Sequence, residues 1–341
     1  MRMSHRTLEA DFRRDIMRAM KGSLLSLFIF SILVCPCFAM GEAPQPVPTV
    51  EVTAPTVAFV GIIGGMGSAN GQFLYPMSVS TGPSSSAVRN IVVSDSGNNR
   101  IQVLNSDGQF ILQFGGWGNS SGKFSSPAGV ALDMSQRIFV ADKDNNRVQK
   151  FDINGNFLDE FGFFGVNQGS MVSPLGIAVS FGRVFVADAG NNRIDKFDDG
   201  GTSINSFGSF GYSDGNFNSP SDVAMDAERN IYVADTKNDR VQKLNENGML
   251  ILSFGKSGGG DVEFHSPAGI SVDDRYIYVS DTGNNRVQIF DKNGKFFVKF
   301  GSTGMGDGQF NNPTGIAVGQ PGRLFVADTN NHRVQEFKIS F

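Results

Sequence analysis

Residues 277–290 read IYVSDTGNNRVQIF, an apolar run, a polar turn and a second apolar run. The first run is apolar at consecutive positions (Ile277, Tyr278, Val279), the pattern of a strand covered on both faces. The second alternates, with Gln288 between Val287 and Ile289, which predicts a strand nearer the rim. Upstream, GISVD after Pro267 predicts a further strand, and downstream KFFVKFG predicts a fourth. Val, Ile, Phe and Tyr fill these runs, while Gly, Asn, Asp and Pro separate them. No stretch of the repeated region keeps the 3.6-residue period of an amphipathic helix.

The same sentence is written six times. Its Asp recurs at Asp95, Asp142, Asp188, Asp235, Asp281 and Asp328, at steps of 47, 46, 47, 46 and 47 residues. Five positions after each Asp stands an Arg: Arg100, Arg147, Arg193, Arg240, Arg286 and Arg333. A four-stranded antiparallel sheet repeated at this period, each copy covered on both faces by its neighbours, is a propeller blade. The expected fold is therefore all-β, a six-bladed β-propeller. The phrase D-x-x-N-N-R-V-Q, together with the loop F-G-x-x-G-x-x-x-G-x-F-x-x-P, resembles the NHL repeat. That resemblance covers 57–341 and implies a six-bladed NHL-type propeller of the exported bacterial kind. The Trp-based propeller repeats fit poorly, since Trp117 is the only Trp.

The ends of the repeated region are complementary. AFVGIIGGMGSANGQFLYP matches only a fourth strand and its following loop, while the last unit stops after its third strand, RVQEFKISF. Residues 57–63 are thus expected to pair with 333–338 and close the ring, removing the free edges of an open array. An insertion at 83–88 (PSSSAV) reads as a longer surface turn in the first blade.

Ahead of the ring, residues 1–41 hold a basic start, an apolar core at 24–34 and a small-residue exit at Ala39-Met40-Gly41. This is the make-up of a secretory signal peptide, which predicts an exported, periplasmic or extracellular protein. The competing expectation is a membrane anchor through 23–39, though the apolar core is short of the roughly 20 residues that span a bilayer. Residues 42–56 carry Pro44, Pro46, Pro48 and Pro55 and read as an extended spacer with little to pack. Both cysteines, Cys35 and Cys37, lie in the leader, so a cleaved product has no thiol chemistry.

The repeated Asp and Arg read as architecture. An Asp at a strand end binds turn amides, the following Asn residues tolerate left-handed backbone, and the Arg pairs with an Asp of its own or the next blade. Gly129, Gly176, Gly269 and Gly315 stand where inner strands crowd towards the axis. Candidate function lies in departures from the template. Ser78 and Asp222 replace that Gly in the first and fourth blades, and Asp222 is a candidate for a cation or polar ligand at the channel. Asp133, Asp226 and Asp273 each precede a tight turn and read as turn residues rather than a metal cluster. His265 and His332 occupy different motif positions, a weak basis for a metal site.

In the loop F-G-x-x-G the second variable residue is, in ring order, Met66, Trp117, Phe164, Phe210, Ser257 and Thr303. Either the four apolar side chains tuck under their own loops, or they form an apolar crescent suited to a protein, peptide or glycan. No catalytic set is recognisable, and neither a cofactor nor a resident metal is expected. The zinc histidines of the amidating lyases that resemble this family are missing, and the carboxylate and Asn cluster of lactonase-type propellers cannot be matched residue by residue. From Val57 onwards 23 Lys and Arg face 28 Asp and Glu, an acidic balance that argues against nucleic acid. A membrane enters only through an uncleaved leader. The expected function is an exported binding or scaffold module, with a metal-dependent lyase or lactonase using the channel as the alternative.

Overall fold

A computed structural model describes residues 53–82, 90–319 and 322–341 of the chain. The leader, the spacer up to residue 52 and the insertion at 83–88 lie outside the described residues. From Thr53 on, the chain builds six four-stranded antiparallel sheets arranged as blades around a channel. In blade 5 the strands follow chain order from the axis outwards: Gly269–Val272, Tyr276–Asp281, Arg286–Asp291 and Phe296–Phe300. Inner strands of successive blades lie side by side, and the inner strand of blade 6 returns to that of blade 1.

Ring closure follows the expectation. Blade 6 contributes Pro313–Gly319, Arg323–Asp328 and Arg333–Ser340, and its fourth strand is Thr56–Gly64 from the other end of the chain. Val57 stands opposite Ile339 and Ile63 opposite Val334, with a register shift between Phe59 and Gly61. The last residues of the Pro-rich stretch already pack, unlike the bare spacer expected there. Pro55 is buried, Thr56 pairs with Ser340, and the Tyr276 hydroxyl donates to the Thr53 carbonyl at 2.7 Å.

The apolar core lies between blades, not within them. Tyr232 and Ala234 of blade 4 share one cluster with Ile277, Val279 and Phe290 of blade 5, capped by Phe264 from the connecting loop. Each side chain of this size that is fully buried stabilises by roughly 1.5–3 kcal/mol. A blade has two apolar faces because it has a neighbour on each side, which is why the second strands read as unbroken apolar runs.

The third strand lies outside the second, nearer the rim as expected, but its alternation does not come from exposure. Gln288 is fully buried although it breaks an apolar run, and the strand Arg286–Asp291 is buried almost throughout. Its polarity answers a buried partner, not solvent. Alternation with exposure belongs instead to the fourth strands, as in Phe110–Gly115 of blade 1. At the axis, a Cβ on Gly129 would overlap the Leu175 carbonyl oxygen and one on Gly269 the Thr314 carbonyl oxygen, so only Gly lets the strands approach. Among the described residues no helix is long and apolar enough to cross a membrane.

Candidate functional site

One face of the ring carries both the D-x-x-N-N-R turns and the Gly-rich loops that lead into each blade. In blade 5, Asp281 Oδ1 accepts the amide of His265 in the entering loop at 2.8 Å. Asp281 Oδ2 accepts Arg286 Nε at 2.7 Å, Asn284 Nδ2 at 2.9 Å and Gln288 Nε2 at 3.1 Å. Arg286 then donates through both terminal nitrogens to the loop carbonyls of Gly259, Gly260 and Glu263. The same clasp recurs at Asp95 with Arg100, Asp142 with Arg147, Asp235 with Arg240 and Asp328 with Arg333, always within one blade. Burial pushes the Asp142 carboxyl up, and the Ser125 amide, Asn145 and Arg147 pull against that. These charges hold the loops.

The next residue of the turn joins neighbouring blades. Asn99, Asn146, Asn192, Asp239, Asn285 and His332 all have left-handed backbone, with φ between 50 and 57°. Their side-chain oxygens accept an amide of the next blade: Asn99 accepts that of Ser126, Asn146 that of Ser173, Asn192 that of Ser219, Asp239 that of Ser266 and Asn285 that of Asn312. In blade 6 the imidazole substitutes, and His332 Nδ1 accepts the Tyr75 amide at 3.1 Å to complete the circle. His332 is a ring-closing acceptor, and His265 stands in a different blade.

Asp133, Asp226 and Asp273, on the opposite face, are committed to turns as expected. Asp133 Oδ1 accepts the amides of Ser135 and Arg137, and Asp273 Oδ1 those of Arg275 and Tyr276. Asp226 accepts from Asn230, Tyr232 and Lys292. Among the described residues no three His, Cys, Asp or Glu side chains converge as metal ligands.

Asp222 lines the channel, a polar space of about 290 Å³ that Ser78, Ser80 and Ser271 share. Its carboxylate is used as a tie between blades: Oδ2 accepts the Ile270 amide of blade 5 at 2.9 Å, and Oδ1 the adjacent Val223 amide at 2.9 Å. Ser78 makes the matching but longer link from blade 1 to the Val130 amide of blade 2, at 3.4 Å. Burial pushes the Asp222 carboxyl up to about 7 against the pull of those two amides.

The loop residues separate into two sets. Phe73, Phe124, Met171, Phe217, Phe264 and Phe310 plug the core beneath the loops with no exposure. Met66, Trp117, Phe164 and Phe210 pair by isolated bridges with the first four of these, yet point outwards with 70, 79, 72 and 60% of their surface exposed. They do not tuck under their loops. Phe163, Val166 and Tyr212 enlarge the apolar surface, and Tyr212 packs edge-on against Phe210 at 5.9 Å. Met305 adds an exposed apolar side chain to blade 6, so only the blade 5 loop, with Lys256 and Ser257, is wholly polar at its tip. Phe163, Val166, Tyr212 and Met305 vary in position within the loop, so a single column of the repeat misses them.

Fold and clasp together define the class: a closed six-bladed propeller whose repeat is built around a buried Asp–Arg turn. The NHL repeat family matches the chain at residues 124–151, 217–244, 264–290 and 310–337, and the protein is an NHL-type propeller. Those matches fall on blades 2, 4, 5 and 6; blade 1 carries the insertion, and blade 3 departs at its clasp. No curated protein sequence matches the chain. Solved structures share the fold. A catalytically inactive virginiamycin B lyase from Staphylococcus aureus with quinupristin is 12% identical, covering 83% of this chain and 99% of its own, with a TM-score of 0.55. A gluconolactonase from Xanthomonas campestris is 14% identical over 83% of this chain and 98% of its own, at 0.58. An auxiliary nutrient binding protein from Bacteroides thetaiotaomicron is 12% identical over 85 and 78%, at 0.60. At such identities the likeness is one of fold alone.

Proposed function

We propose that the protein is an exported binding module whose loop face takes a protein, peptide or glycan on the surface formed by Met66, Trp117, Phe164 and Phe210. One observation carries this reading. Four large apolar side chains on successive blades stand in solvent while an adjacent set of the same loops fills the core. Exposed apolar surface grouped on a polar face costs solubility and is the usual mark of a contact site. The rings of Trp117, Phe164 and Phe210 also bring large contact area at low conformational cost.

Labelled full-length protein on glycan arrays and displayed peptide libraries tests the reading. Binders lost in Trp117→Ala and kept in Thr303→Ala support it; an unchanged binding profile in Trp117→Ala overturns it. Export has its own readout, a mature N-terminus between Met40 and Pro46 in protein recovered outside the cytoplasm. Full-length chain found only in membranes would favour the anchor through 23–39.

A channel enzyme is the competing reading, and the lyase and lactonase among the fold's neighbours keep it in view. The donor set gives it little support, because among the described residues Asp222 is the one carboxylate lining the channel space of about 290 Å³, and its oxygens already accept two amides. Stoichiometric zinc or calcium, lost together with a lyase or lactonase activity in Asp222→Ala, would establish it.

A further inference from the structure

Five of the six clasps contain a Gln two residues after the Arg: Gln102, Gln149, Gln242, Gln288 and Gln335. Each amide does two things. Its Nε2 donates to the clasp Asp and to a loop carbonyl, and its Oε1 accepts a loop amide. Blade 3 has Asp195 in that place, only 1% exposed and facing the fully buried Asp188. Arg193 Nε lies 3.2 Å from Asp188 Oδ2 and 2.9 Å from Asp195 Oδ1, but is aligned with neither. In the other five clasps the matching Arg–Asp contact is 2.6–2.9 Å.

Charge decides what this substitution does. A Gln can donate to the clasp Asp; an ionised carboxylate cannot. Two buried acids around one guanidinium leave an uncompensated negative charge unless a proton is added. Arg193 Nη2 donates to Asp195 Oδ2 at 3.3 Å, and Asn191 Nδ2 and the Val172 amide donate to Asp188, but among the described residues Arg193 is the one cation acting on Asp195. Across the sheet Asp195 faces Val186 and Ser206, and the loop above presents Asn167, Gln168 and Ser170. Only Asp188 and Arg193 act electrostatically on it. Burial pushes the Asp195 carboxyl up to about 8; Arg193 pulls it down and Asp188 pushes it further up. The loop concerned, residues 162–171, is held by Arg193 through the carbonyls of Val166, Asn167 and Ser170, and it displays Phe163, Phe164 and Val166.

We propose that Asp188, Arg193 and Asp195 form a proton-operated latch on the loop 162–171 of blade 3. Protonated, Asp195 donates to Asp188 as the Gln amide does elsewhere, and the loop is held. Ionised, it sets two carboxylates against the guanidinium that holds the loop, and the loop opens more often. On the binding reading given above, this makes the Phe163 and Phe164 sector of the loop face sensitive to pH. The latch itself does not depend on that reading.

Amide hydrogen exchange of the full-length protein between pH 5 and 9 tests it, corrected for the intrinsic pH dependence of exchange. The blade 2 loop, residues 115–124, serves as the internal control because its clasp holds Gln149. The closed loop binds a proton that the opened, solvated Asp195 releases. Protection of 162–171 should therefore fall by about tenfold per pH unit as pH rises towards 8, then level off. In Asp195→Gln that slope should vanish while blade 2 is unchanged, and Asp195→Asn is a second neutral variant should the first fold poorly. In wild type the carboxyl carbon of Asp195, followed by NMR, should titrate near 8. A carboxyl titrating near 4, pH-independent protection in wild type, or the same slope in both neutral variants would overturn the latch. None of these readouts involves a ligand, so failure of the binding proposal leaves them intact.

Discussion

Arg286 illustrates why a charged residue repeats six times in a ring without forming a charged site. Its guanidinium is nearly buried, and its partners are Asp281 and three loop carbonyls. Removing one member of a buried pair leaves the other uncompensated. Arg286→Ala should therefore cost about 3–5 kcal/mol in urea denaturation. The pair Lys299–Asp261 is a fair comparison, since its 2.7 Å contact lies among exposed side chains. Lys299→Ala should cost less than about 1 kcal/mol. Equal losses from the two substitutions would show that the clasp is not structural.

At the scale of the strand, Thr56–Gly64 has the largest single task, because without it blade 6 has three strands and an open edge. Its Ile63 is buried, and its Phe59 packs edge-on against Phe337 at 5.8 Å. Deleting residues through Ile63 should remove about 1.5–3 kcal/mol from Ile63 alone, add the loss of half-buried Phe59, and expose an edge that promotes aggregation. Deleting only through Val52 should leave the melting temperature close to that of the full chain. Similar melting of the two truncations would mean that the ring closes some other way. This pairing was legible in the sequence because a repeat cut at both ends leaves complementary fragments. The buried Gln of the third strand was not. An alternating polar residue reads the same whether it faces water or a buried carboxylate, and only register with Asp281 separates the two. The same blindness covered Asp195, whose meaning depends on the five Gln residues in the other blades. Asp222 was visible as a departure from Gly, but its bond to the Ile270 amide depends on the spacing of inner strands, which sequence does not encode locally.

For the whole molecule the open question is what the loop face meets, and Trp117 is the natural place to ask. Its loop position is shared by Met66, Phe164 and Phe210, while the neighbouring Phe124 supplies the packing that the loop needs. A side chain exposed by 79% contributes little to folding. Trp117→Ala should thus leave the melting temperature almost unchanged, whereas Phe124→Ala should cost about 3–5 kcal/mol through the cavity it opens. As the only Trp, residue 117 also reports on itself. Its emission should be red-shifted and readily quenched by iodide in the free protein, then shift to the blue and become protected when a ligand covers the indole. Binding should weaken by about 2 kcal/mol or more in Trp117→Ala, the loss expected where a large aromatic anchors a contact. Thr303→Ala should leave it unchanged. Blue, iodide-resistant emission in the free protein, together with a large stability loss in Trp117→Ala, would put the indole in the core. The loop face would then lose its strongest apolar contact, and the surface proposed for binding would have to be sought elsewhere on the ring.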